Sequence, residues 1–164
     1  MMRDERGLVL LEVLVGLAVS GILIGGLVGA LYRIENGLDG GNSQTTANRA
    51  IDRAMEWVGD DIMMAATTSP SSADCPDTTT MTFTWNDRYA GNAVVHTSTY
   101  ALSGTDLQRT YDSVPQTIAS GVSALCFTRA SNDPQVTVAM TVISTAGTAT
   151  ATEAGTYTFY MRPD

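Results

Sequence analysis

A single carboxylate lies inside a long apolar run near the amino terminus. Between Leu8 and Leu31, Glu12 is the sole ionisable residue. A charged acid at the centre of a membrane helix costs roughly 2.5–3.5 kcal/mol. Glu12 is therefore either tolerated near the helix start, where the helix dipole favours a negative charge, or it has a positive partner.

His96 is the only histidine, and it falls in a predicted strand. A catalytic triad would need it beside a serine or cysteine and an orienting acid. No GxSxG motif surrounds any serine, so we predict a surface or edge residue. A membrane-tethered hydrolase that uses His96 is a rival hypothesis, and it predicts an activity that His96→Ala abolishes.

Two acidic pairs, Asp60–Asp61 and Asp74 with Asp77, have the oxygen ligands that calcium prefers. We expect solvated acids at these positions instead. The sequence contains no HExxH motif, no Walker-type loop and no cysteine–histidine cluster. It predicts no enzyme, no cofactor and no metal site.

The two cysteines, Cys75 and Cys126, leave two readings open. In an exported protein they could form a disulfide closing a loop of about 50 residues, worth roughly 4 kcal/mol. They could also be two unrelated buried thiols. The net charge of −8, with nine basic residues that are all arginines, argues against nucleic-acid binding.

The apolar run determines how Glu12 is positioned. As a helix it would be about 36 Å long, enough to cross a hydrocarbon core of about 30 Å. It exceeds the usual h-region of a secretory signal, although a cleavable signal remains an alternative. Gly21, Gly25 and Gly29 recur every four residues and so share one helix face. Such a face lets another helix approach closely, but glycines are also simply frequent in membrane helices.

The chain becomes polar after Tyr32. Gly37, Gly40 and Gly41 each cost a helix about 1 kcal/mol, so we expect a kink or break there. An amphipathic helix packed on a sheet is then predicted from a 3–4 spacing of apolar residues. These residues are Ala47, Ile51, Ala54, Met55, Val58, Ile62 and Ala66.

Beyond a loop at 67–80 the apolar period changes to two. About six strands rich in valine, threonine, tyrosine and phenylalanine follow, joined by short links. We predict an α+β protein in which an antiparallel sheet lies against the amphipathic helix.

The amino terminus resembles the class III signal peptide of type IV prepilins and pseudopilins. The matching features are the leader MMRDERG, the glutamate five residues after Gly7, and the long apolar helix. The resemblance implies cleavage between Gly7 and Leu8 by prepilin peptidase, followed by N-methylation of Leu8. It also implies that Glu12 meets the amino-terminal ammonium of a neighbouring subunit.

Two features depart from the family pattern. The leader mixes acids with arginines, so its positive bias is weak, and the proline that major pilins carry late in this helix is absent. The later segments YALSGTDLQRT and IASGVSALCFT resemble J-type minor pseudopilins of type II secretion and W-type minor pilins of type IV pili.

The resemblance implies a leader at 1–7, a transmembrane helix at 8–32, a helix continuation at 33–66 and an exported β-rich head at 67–164. The expected function is to initiate, cap or assemble a pilus, a secretion pseudopilus or a competence filament. The expected partners are other major and minor pilins or pseudopilins, the peptidase, an inner-membrane assembly platform and lipid. The expected location is the cytoplasmic membrane, crossed once, and then the filament. A signal-anchored binding or adhesion module is the alternative.

Overall fold

A computed structural model of the chain describes the backbone of residues 5–87 and 94–162, and side-chain surroundings from residue 11 onward. One helix, α1 (Glu5–Met64), precedes all of the strands. The eight strands are β1 (Thr67–Ser69), β2 (Met81–Asp87), β3 (Val94–Ser103), β4 (Asp106–Tyr111), β5 (Val114–Ala119), β6 (Val122–Thr128), β7 (Gln135–Ala146) and β8 (Ala149–Tyr160).

The helix does not break at Gly37, Gly40 and Gly41, where a break was expected. Intact helix extends on both sides of the three glycines, and the first contacts with the head begin beside them. The Asp39 carboxylate lies against the β7–β8 turn at Gly147. Ser43 is buried and its hydroxyl donates to the Gly40 carbonyl at 3.0 Å. These contacts oppose the glycine penalty.

The carboxyl-terminal half of α1 buries the predicted apolar face. Six of the seven residues are buried, and Ala66, which lies beyond the end of the helix at Met64, is half-buried. This face packs mainly on β8 and β7. The contacts are close at two glycines: an added Cβ at Gly59 would lie 2.6 Å from the Phe159 ring, and one at Gly155 would lie 3.0 Å from Ile51.

The strands form two antiparallel sheets, one ordered β1-β2-β3-β4-β5 and the other β6-β7-β8. The predicted α+β class, with an antiparallel head following an apolar helix, is confirmed. The described residues form eight strands instead of about six, because β1 lies in the predicted loop and β5 was not predicted. Phe83 joins the two sheets by edge-to-face contacts with Tyr100 and with Phe127.

The segment 73–78, called the strap below, lies along the outer side of β6. Ala73 and Arg129 exchange backbone hydrogen bonds, and the Phe127 amide donates to the Thr78 carbonyl at 2.9 Å. Cys75 and Cys126 form a disulfide across this contact, with their Cα atoms 5.7 Å apart. The strap therefore covers the carboxyl-terminal end of β6, at one edge of the three-stranded sheet.

Candidate functional site

The amino-terminal half of α1 projects away from the head. Its large apolar side chains between Leu11 and Leu38 are each 50–75% exposed. This stretch is long and apolar enough to cross a membrane, and its most apolar window has no buried residue. A hydrophobic surface of this size is stable only in lipid or against another protein.

Glu12 is exposed on this apolar surface, near its amino-terminal end. Gly7 and Leu8 belong to the helix, but their side-chain surroundings lie outside the described residues. The fold places Glu12 in an apolar span, and no described side chain forms a hydrogen bond or ion pair with it.

The glycines of this half of the helix have no packing role within the chain. A Cβ added at any of them would meet no atom within 4 Å. They are Gly16, Gly21, Gly25, Gly26, Gly29, Gly37, Gly40 and Gly41. In contrast, Gly59 and Gly155 are small because the helix and β8 approach each other closely there.

The most elaborate polar site lies inside the head and was not predicted. Asp61, 1% exposed, accepts hydrogen bonds from Ser98 and Tyr100, each at 2.5 Å. Arg109 donates two more from Nε and Nη2, both at 2.7 Å. We expected solvated acids at Asp60–Asp61. That prediction is wrong for Asp61, while Asp60 is exposed.

The buried charges in this site are stabilised by their surroundings. The Arg109 guanidinium lies between two aromatic rings, 5.0 Å from the Trp57 centroid and 4.7 Å from the Tyr111 centroid. Burial and the adjacent Asp61 charge raise the pKa of Tyr100 above its usual range. The hydrogen bond to Asp61 raises the pKa of Arg109 above its usual, already high, value. The phenol and guanidinium thus remain protonated donors, and the site joins α1 to β3 and β4.

His96 lies at the rim of the same aromatic group. Its Nδ1 is 2.6 Å from Asp112 Oδ2 and 3.0 Å from the Tyr111 hydroxyl. Its ring stacks on Tyr111, with centroids 5.7 Å apart and planes 12° apart. Asp112 also accepts a hydrogen bond from the Thr97 amide. This bond is the main cause of the lowered pKa of Asp112, and the hydrogen bond with His96 is the second. Among the described residues, the side chains that hydrogen-bond to His96 are an acid and a phenol, and they orient the ring.

The other pair of acids considered for calcium, Asp74 and Asp77, is not part of a metal-binding cluster among the described residues. Asp74 and Asp77 are exposed and line an open cavity of about 440 Å³ beside the strap. Within the described ranges, no three histidine, cysteine or acidic side chains are grouped as metal ligands would be. Both oxygens of Asp61 are already occupied by donors.

Comparison with models of known protein families and with curated protein sequences finds no match for this chain. Its function must therefore be argued from its own residues.

Proposed function

We propose that this chain is a minor pilin or pseudopilin, a structural subunit that helps to initiate, cap or assemble a type IV filament. The observation that carries the proposal is the unpartnered half of α1. Its apolar side chains are exposed and its glycines are free of internal contacts, while the head packs only on the other half. A helix of this kind is suited to membrane storage followed by packing among other helices.

The amino-terminal motif supplies the proposed switch between those two states. Cleavage after Gly7 would create an ammonium at Leu8, four residues before Glu12. In a low-dielectric environment a carboxylate without a partner is unfavourable, and one with a well-placed cation is stabilised. Glu12 would therefore favour assembly, and it would fix the axial stagger at which its carboxylate meets a neighbour's amino terminus.

The amino terminus of the membrane-extracted protein tests the processing step. Co-expressed with a prepilin peptidase, the chain should begin at Leu8 and carry one added methyl group. Without the peptidase it should begin at Met1. If the chain keeps Met1 both with and without the peptidase, the result would count against the proposal and favour the signal-anchored binding module.

The role of Glu12 can be separated from membrane insertion. Glu12→Gln removes the charge at nearly constant volume, so insertion and cleavage should be unchanged. Recovery with candidate partner pilins should fall about tenfold, which corresponds to 1.4 kcal/mol. Glu35→Gln, an exposed acid of the same helix outside the apolar run, is the control and should behave as wild type. Equal recovery of Glu12→Gln and wild type would refute the charge-pairing step.

The proposed glycine face has its own matched pair of variants. Gly25→Leu adds a side chain on the face formed with Gly21 and Gly29, whereas Gly26→Leu adds the same volume about 100° away. Apart from the neighbouring backbone of the helix itself, a Cβ added at either position has no atom of the chain within 4 Å. Gly25→Leu should therefore reduce association with partner helices more than Gly26→Leu does. Equal effects would show that these glycines do not form a packing face.

A further inference from the structure

The sheets of the head have four edges, and three of them are short, interrupted or covered. β1 has three residues, and β5 contains Pro115 and a register shift against β4. β6 is covered at both ends: the strap bonds to Phe127 and Arg129, and the Thr105 carbonyl accepts from the Val122 amide. Natural proteins protect sheet edges by such means, because an open edge offers unpaired backbone groups to another chain.

The outer edge of β8 differs from the other three. It extends for twelve residues without proline, and its register against β7 is continuous from Ala149 to Tyr160. Within the described part of the chain, no backbone hydrogen bond from Ala149–Tyr160 reaches a partner other than β7. This edge is a straight and uncovered row of donors and acceptors.

The register identifies which backbone groups face outward. Ala146 and Ala149 close a two-residue turn, so they form a hydrogen-bonded pair and the pattern alternates from there. The amides of odd-numbered residues point to β7, in agreement with the next odd residue, Met161, which donates to the Pro134 carbonyl. The amides of even-numbered residues from 150 to 160 therefore point to the open edge.

The side chains of β8 suit strand pairing. The even-numbered ones are exposed and are mostly threonines, with one alanine and one tyrosine. Threonine and tyrosine favour extended structure and pair well across strands. Glu153 is the only charged residue of the strand, it points to the opposite face and it is half-buried. No described side chain forms a hydrogen bond or ion pair with it.

We propose that the outer edge of β8 receives an extended strand from a different protein, which carries alternating β-branched residues and a basic residue near Glu153. A second copy of this chain suits the edge poorly. Its own β8 contains no arginine or lysine to meet Glu153, and pairing would bring together two chains of charge −8. The carboxylate thus selects for a basic partner strand and against self-pairing.

The proposal can be tested on the full chain in detergent with synthetic peptides. The probe is a ten-residue peptide of alternating threonine and valine with one central arginine; a second peptide carries glutamate at that position. The arginine peptide should bind saturably and slow hydrogen exchange at the even-numbered amides of residues 150–160. The glutamate peptide should bind about tenfold more weakly, because attraction to Glu153 becomes repulsion.

Thr156→Pro removes one outward amide without removing a bond to β7, and proline is tolerated at this kind of edge position. It should weaken arginine-peptide binding at least tenfold, while Thr156→Ser should stay within about twofold. Unchanged exchange at the β7 amides would show that the sheet remains folded. Glu153→Gln, which leaves the backbone intact, should abolish the preference between the two peptides.

Several outcomes would overturn the proposal. They are absent protection of the even-numbered amides, equal binding to Thr156→Pro and Thr156→Ser, or protection that grows with protein concentration in the absence of peptide. The last would identify a second copy as the occupant. None of these measurements requires a filament, so they are independent of the proposed function.

Discussion

Replacing Asp61 by asparagine removes one charge from the interior of the head with little change in volume. Three side chains donate four hydrogen bonds to this carboxylate, from Ser98, Tyr100 and Arg109. An asparagine keeps one acceptor oxygen and turns an NH₂ group toward donors. The Arg109 guanidinium, whose side chain is 10% exposed, would then lack its counter-charge.

The size of the effect can be bounded from these contacts. Hydrogen bonds to a charged group contribute about 1.5–3 kcal/mol each, but their sum overstates the loss because they share one acceptor. Breaking a buried ion pair costs about 3–5 kcal/mol. Asparagine retains part of the hydrogen bonding, so we expect a loss of about 3–4 kcal/mol. That is a large share of the roughly 5–15 kcal/mol that stabilises a domain.

Urea unfolding of the full chain in detergent measures this loss through tryptophan fluorescence. Trp57 contacts Arg109 and so reports on the site itself. Asp60→Asn is the matched control, because Asp60 is the exposed neighbour and should change the unfolding free energy by less than about 0.5 kcal/mol. A cost below about 1 kcal/mol for Asp61→Asn would show that the Asp61 charge contributes little to stability. Additive effects of Asp61→Asn and Arg109→Met would also contradict a shared ion pair, since such a pair requires non-additivity.

Three further changes probe other parts of the head. Cys75→Ser opens a loop that spans 51 residues and should lower the unfolding free energy by about 2–4 kcal/mol, as should reduction of the wild type. Gly147→Ala combines a positive φ of 55° with a clash against the Asp39 carboxylate, so it should lower the melting temperature, and Asp39→Ala should restore part of the loss. Asp112 has a lowered pKa, chiefly because of the Thr97 amide. Its stabilisation is present above the unfolded pKa of about 4 and is lost as pH falls through the lower folded pKa. The stability difference between Asp112→Asn and wild type should therefore start to shrink near pH 4 and be smallest below the folded pKa.

The helix was the best-predicted element. Apolar spacing identified the buried face of its second half because burial there follows the 3.6-residue period. A kink or break was expected at the glycines. The helix does not break there, because helix propensity is a local preference that flanking helix and contacts with the head can override. Glycine content alone did not indicate where those contacts begin.

The sheet was harder to read for identifiable reasons. β5 begins with valine and proline, and Pro115 made the segment a weak candidate for a strand. Much of β8, in the sequence ATATEAG, lacks large apolar residues because its inner face lies so close to α1 that Gly155 is required. In this part of β8 the residues differ mainly in size from one position to the next, and little in hydrophobicity. A pattern based on hydrophobicity therefore did not reveal the strand.

Asp61 was missed because a pair of adjacent aspartates suggests a solvated surface. A signal was nevertheless present. Ala47, Ile51, Ala54 and Val58 recur at intervals of four and three residues, and the next position in that series is Asp61. An acid at a position reserved for the core requires a buried cation. Sequence separation hid that cation, since Arg109 lies 48 residues away.

Because α1 is unbroken, it fixes the rotation of the head about the helix axis relative to the apolar half of the helix. An ideal helix turns about 100° per residue, so Gly25 and Ile51, which are 26 residues apart, differ in azimuth by about 80°. Gly25 lies on the proposed helix-packing face, and Ile51 faces β8. A continuous helix transmits this angle, so that rotating its apolar amino-terminal half rotates the head with it. One residue inserted near Gly41 would turn the head by about 100°, whereas seven would restore its direction to within about 20°.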